Sequence, residues 1–103
     1  MDIIFQAHHA VISDLLRSRA ERHVRKLAVM LRRPVTALVR FESDGRQRRV
    51  EIQLHAPRRH ALVAEARHHT YGPALTAAAA HLAAQIRKGR RPRRARHVVP
   101  SRA

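Results

Sequence analysis

This 103-residue chain predicts an α+β fold of order β-α-β-β-β-α, a four-stranded mixed sheet with two helices packed on one face. Three observations carry the prediction. Apolar residues recur every three or four positions through residues 12–31, alternate every second position through most of residues 35–67, and form an Ala-rich helical stripe over residues 71–86. Each segment then has a single apolar face, and one arrangement buries all of them at once: both helices on the same side of the sheet.

The chain opens with a short apolar run at residues 2–7, read as a strand and followed by the polar pair His8 and His9. Ser13 has the character of a helix N-cap, since its hydroxyl can accept an otherwise unpartnered amide two or three residues on, and Asp14 adds negative charge to the first turn. Ile12 precedes this helix. Leu16, Ala20, Val24 or His23, Leu27 and Leu31 then form one apolar face, while Arg17, Arg22, Arg25 and Arg32 lie elsewhere. Pro34 is the stop signal. In residues 35–42 the odd positions Val35, Ala37, Val39 and Phe41 are apolar, as in a half-buried strand. Ser43, Asp44, Gly45 and Arg46 supply a hairpin turn, because Asp-Gly tolerates the positive φ of a tight connection. The next strand buries Val50, Ile52 and Leu54. A turn at residues 57–60 leads to a fourth strand over residues 61–67, with Leu62, Ala64 and Ala66 on one face. His69 or Thr70 opens the second helix. Pro73 falls in its first turn, where a missing amide costs no hydrogen bond. Leu75, Ala78, Ala79, Leu82 and Ile86 form its buried stripe, and Gly89 and Pro92 end it. The first strand–helix–strand unit is a right-handed crossover if its strands are parallel, and the later strands form an antiparallel meander.

Charge is the strongest functional signal. Lys and Arg number 22 against 7 Asp and Glu, a formal net charge of +15. A field of that size opposes folding by self-repulsion and raises encounter rates with polyanions. Only Lys26 and Lys88 are lysines; the remaining cations are arginines, whose planar fork matches phosphate oxygens and stacks on bases. Nucleic acid is favoured over lipid, since a membrane-surface helix also wants aromatic anchors and the chain has only Phe5, Phe41 and Tyr71. The charge is densest where the second helix runs without a linker into Arg87, Lys88, Arg90, Arg91, Arg93, Arg94 and Arg96. The helix dipole would be satisfied by one or two of these; the surplus points to phosphate. A single domain over residues 1–88 with a basic tail over 89–103 follows. The chain contains no Cys, which excludes disulfides and thiolate metal sites. With no long apolar stretch and with Asp2 where a signal peptide would be positive, a cytoplasmic protein is expected.

The residues also carry a resemblance. The opening IIFQAHHAVISDLLRSRAERHVRKLAVML is similar to the start of the ribosome hibernation promoting factor family, also called the ribosome-associated inhibitor or sigma-54 modulation family. That family shows a short strand, a polar pair, an apolar residue, a Thr or Ser cap and a helix ending in Lys-Leu, matched here by His8, His9, Val11, Ser13, Lys26 and Leu27. A second segment resembles the family in Ala64 and Glu65, Tyr71, Gln85 and Ile86, and Arg87 and Lys88. The likeness covers roughly residues 2–91. It departs where His69 and Leu75 replace acidic residues usual in the family, and where Gly89 and Pro92 interrupt a helix that usually continues. The length resembles the short form, without a C-terminal dimerisation domain.

The resemblance implies a factor that binds the small ribosomal subunit and its rRNA between head and body, occupies the decoding channel, and blocks messenger and transfer RNA in stationary phase or stress. It implies a protein monomeric off the ribosome. Arg22, Arg25 and Lys26 on the first helix and Arg87, Lys88, Arg90 and Arg91 at the end of the second are the implied rRNA-binding residues; Arg93, Arg94 and Arg96 lie outside the matched segment. RNA helices are read largely by shape, phosphate and ribose, which suits cations spread over two helices. A general double-stranded RNA- or DNA-binding module is the alternative that charge alone allows. Tyr71 is open to two readings, base stacking or packing at the helix start.

No cofactor, small-molecule substrate or membrane partner is expected. The pairs His8 with His9 and His68 with His69 raise metal binding, but adjacent strand residues point to opposite faces, so each pair would give a site one ligand, with no Cys or carboxylate completing a set. The nine His instead give binding a route to pH sensitivity. Ser13, Ser43 and Ser101 are explained without catalysis, no Gly-rich phosphate loop is present, and no Gly-Gly-Gln loop of the hydrolytic ribosome rescue factors occurs. The chain is expected not to be an enzyme.

Overall fold

The computed structural model of the chain describes residues 1–33, 35–58 and 60–89. Its elements are β1 (Asp2–His8), α1 (Asp14–Leu31), β2 (Thr36–Asp44), β3 (Gln47–His55), β4 (Leu62–His68) and α2 (Tyr71–Gly89). The expected order and mixed sheet are both present, with strand order β1-β2-β3-β4. β1 pairs parallel to β2, and β2–β3 and β3–β4 are antiparallel.

Ser13 caps α1, its Oγ accepting the Leu16 amide at 3.1 Å. At the other end, the expected stop signal Pro34 lies outside the described residues. α1 ends at Leu31, and Arg32 caps it in the left-handed region at φ 57, with its N–H reaching back to the Ala28 and Val29 carbonyls. A non-glycine residue there carries strain of about 1–2 kcal/mol. Asp44 and Gln47 are a paired rung, so the β2–β3 hairpin loop is only Gly45 and Arg46. Gly45 takes the positive φ of 62 and Arg46 does not, as in the hairpin turn with Gly first. β2 extends two residues beyond the expected end at Glu42, because both strands run straight into that tight loop. β4 and α2 each begin at least one residue later than the pattern indicated.

The alternation predicts the core well. Val39, Phe41, Val50, Ile52 and Leu54 from the sheet, Ala20, Val24 and Leu27 from α1, and Leu75, Ala78, Leu82 and Ile86 from α2 form one buried cluster. Both helices therefore cover the same sheet face. Of the two candidates on α1, Val24 is buried and His23 lies at the margin of the core. The sheet edge at β4 is closed by α2: Gln85 Nε2 donates to the Val63 carbonyl at 2.9 Å, and His81 Nδ1 lies 3.3 Å from the Glu65 carbonyl. Gln85, which carries part of the family likeness, is thereby a strand-edge cap. No helix among the described residues is long and apolar enough to cross a membrane.

Candidate nucleic-acid interface

The two faces of the molecule differ sharply in charge balance. The open face of the sheet holds Glu42, Asp44, Glu51 and Glu65, four of the seven carboxylates in the chain. Strand register sets them against arginines. Arg49 reaches Glu65 at 2.6 Å, Glu42 at 3.2 Å and Glu51 at 3.6 Å; Arg40 lies 3.6 Å from Glu51; Arg67 lies 3.5 Å from Asp44 and 3.9 Å from Glu65. The hydrogen bond from Arg49 holds the Glu65 carboxyl below its ordinary pKa, while the same bond raises that of Arg49. This face is close to neutral.

The positive excess is therefore left to the helices, loops and C-terminal segment. α1 carries Arg17, Arg19, Arg22, Arg25 and Lys26 against Asp14 and Glu21, and α2 carries Arg87 and Lys88 with no carboxylate at all. Arg22, Arg25, Lys26, Arg87 and Lys88 are all exposed, and among the described residues none is ion-paired. Of the expected site residues, Arg90 and Arg91 lie outside the described residues, as do Arg93, Arg94 and Arg96.

Topology brings part of this set together. A Cβ on Gly72 would come within 3.1 Å of Arg19 Nη1, and further along Arg87 shares a groove with Lys26 and Met30. The helices thus run side by side in the same direction, so the C-terminal ends of both, and the start of the basic run, lie at one end of the helical layer. The groove between them has a volume of about 280 Å³. Its wall on α2 is built from Thr76, Ala79, Ala80 and Ala83, whose small side chains leave room between the backbones; Lys26 and Arg87 stand on opposite sides, with His23 on the α1 wall. Arg22 and Arg25 do not line it.

Two further cations emerge only from the fold. Arg17 lies over the Phe5 ring at 5.0 Å, and Arg48 over Tyr71 at 5.9 Å. Tyr71 itself packs edge-on against Phe41, with ring centres 5.5 Å apart. Its hydroxyl is buried without a hydrogen-bond partner among the described residues, and burial raises its pKa. Packing is the role the structure gives it. The histidine geometry also corrects an expectation. His9 lies past the end of β1 at φ 55, so the strand alternation does not reach it, and the His8 and His9 rings meet at 4.4 Å; His68 and His69 meet at 5.7 Å. Among the described residues no three His, Asp or Glu side chains gather as a metal site requires.

Comparison with known proteins decides the family. The profile of the sigma 54 modulation protein / S30EA ribosomal protein family matches residues 3–94. The chain belongs to that family. Among solved structures it is similar to the N-terminal domain of Protein Y from Thermus thermophilus, with 23% identity and a TM-score of 0.76 over 87% of this chain and 100% of that one. It is also similar to a ribosomal subunit interface protein from Coxiella burnetii, with 17% identity and a TM-score of 0.70 over 85% of this chain and 96% of that one. At these identities the likeness is one of fold. No curated protein sequence matches significantly. Within the S30EA family, the matched span includes Ser13, Lys26, Tyr71, Gln85 and Arg87, to which the structure gives a cap, a groove cation, a packing ring, an edge cap and a second groove cation.

Proposed function

We propose that this chain is a cytoplasmic ribosome hibernation factor that binds the small ribosomal subunit in its decoding channel through the helical layer and there excludes messenger and transfer RNA. The observation that carries the reading is the segregation of charge in a member of the S30EA family: a sheet face neutralised by its own carboxylates, and a helical layer whose unpaired cations Arg22, Arg25, Lys26, Arg87 and Lys88 lead into Arg90 and Arg91.

The mechanism requires no bond to be made or broken. Cations on two neighbouring helices neutralise phosphates, and the folded body occupies space that a messenger or transfer RNA would need. Contacts to phosphate and ribose rather than base edges suit a target recognised by shape. Arg49, Arg40 and Arg67 have their carboxylate partners already and take no part. The factor acts as a monomer on this reading, with the sheet face turned away from the rRNA.

Binding of the full chain to purified small subunits, large subunits and a generic RNA duplex at near-physiological salt tests the proposal, with messenger and initiator transfer RNA as competitors. Selective small-subunit binding that both competitors weaken is the expected result. Equal affinity for every polyanion would reduce the chain to a general basic RNA- or DNA-binding domain.

A further inference from the structure

We propose that His23 completes, with Lys26 and Arg87, a phosphate-binding groove between α1 and α2 in which the imidazole binds as its cation, so that a proton enters the site together with RNA phosphate. The inference rests on the reading that the helical layer meets RNA and adds to it a residue and a regulation of that same site.

The groove supplies the geometry. His23 and Lys26 are one helical turn apart on α1, and Arg87 faces them from the alanine-rich α2 wall of the same groove. From α1 the charged groups acting on His23 are Arg19, Arg22 and Lys26. From α2 the groove-lining charge is Arg87, beside Thr76, Ala79, Ala80 and Ala83, and no carboxylate lines the groove. Partial burial first, then the neighbouring cations, lower the His23 pKa from its ordinary 6.5, so at neutral pH the ring in the free protein is uncharged.

A phosphate seated in the groove reverses both the sign of the local field and the direction of the effect. It neutralises Lys26 and Arg87, and it accepts a hydrogen bond that the imidazolium can donate and the adjacent cations had opposed. The bound-state pKa then lies above the free-state one. Binding is strengthened by protonation: the gain is fully present below the free-state pKa and is lost as pH rises through the bound-state pKa. Each unit of upward shift corresponds to about tenfold in affinity between those limits. On this account acidification tightens the factor on its target at a residue whose charge is otherwise switched off.

The His23 ring titration in the full chain, followed by NMR alone, with a short RNA duplex and with sodium phosphate at matched ionic strength, tests the proposal. A midpoint below the ordinary histidine value when free, and about one pH unit higher or more with RNA, is expected, with a smaller rise in sodium phosphate. An unmoved midpoint while RNA is bound overturns the proposal. So does an equal rise with free phosphate, which would make the groove an anion site without preference for RNA. Small-subunit affinity at about pH 6 and about pH 8, for the wild type and for His23→Gln and His23→Arg, separates this inference from the ribosome reading. His23→Gln is expected to lose part of the pH dependence, and His23→Arg to hold the acid-side affinity at the higher pH. Selective subunit binding with unchanged pH dependence in His23→Gln ends the proton coupling and leaves the ribosome reading intact. Absence of subunit selectivity ends the latter, while the NMR titration still decides the role of His23.

Discussion

At the scale of single residues, stability turns on a few identifiable groups. Arg32 holds a left-handed conformation at the end of α1 that glycine adopts without strain, so Arg32→Gly is expected to raise unfolding stability by about 1 kcal/mol, read as an upward shift in the thermal midpoint. Two titrations set the acid response. His23 in the folded chain resists protonation, whereas the unfolded ring accepts a proton near pH 6.5, so stability falls as pH drops through that value toward the lower folded pKa. Glu65 is the opposite charge type with the same outcome: its folded pKa is depressed by Arg49, and its stabilisation, present above the ordinary carboxylate value, is lost as pH falls through the folded one. Thermal unfolding from neutral to acid pH is expected to show both losses, and His23→Gln to reduce the one nearer neutrality. A midpoint rising on acidification would contradict both assignments. The residue scale was also where sequence reading missed most. Pro34 is so strong a stop signal that the cap two residues before it was invisible, and the spacing left Val24 and His23 interchangeable until packing chose between them.

At the scale of elements, the hydrophobic pattern sufficed. A period of three to four and a period of two are read from consecutive residues, and burial of Val39, Phe41, Leu75 and Leu82 follows from them directly. Leu82 sits in the only apolar stripe of α2, so Leu82→Asp is expected to unfold the chain by placing an unpaired charge in the core; a folded variant by circular dichroism would refute the helix register. What depends on the pairing of distant strands was not legible. Arg49, Glu42, Glu51 and Glu65 alternate with apolar residues and read as ordinary solvent-facing positions. Only the registers that set Glu42 against Arg49 and Glu51 against Glu65 turn them into a neutralising cluster. The same holds for Lys26 and Arg87, far apart in sequence and joined across a groove by the parallel run of two helices. Of the small side chains that make that groove possible, only Ala79 belongs to the buried stripe read from sequence; Thr76, Ala80 and Ala83 were given no role there.

At the scale of the whole molecule, formal charge alone is a poor guide to where RNA would bind. The net value of +15 describes every surface equally, whereas the fold withdraws three arginines to the sheet face and leaves the excess elsewhere. Neutralising Arg87, Lys88, Arg90 and Arg91 together is expected to lower the salt dependence of ribosome binding by about three units of log-log slope if each meets one phosphate; an unchanged slope would remove them from the interface. The most direct measurement compares two double variants of equal charge change in small-subunit affinity. Lys26→Gln with Arg87→Gln removes groove cations, and Arg40→Gln with Arg67→Gln removes sheet-face cations: the Arg67 pairs are exposed and contribute little to folding, and Glu51, half of the Arg40 pair, keeps Arg49 as a partner at 3.6 Å. The account predicts a marked loss of affinity, and a shallower salt dependence, for the first pair and near wild-type binding for the second. Equal losses from both would mean that only net charge matters, and a larger loss from the sheet-face pair would place the interface on the opposite side of the molecule.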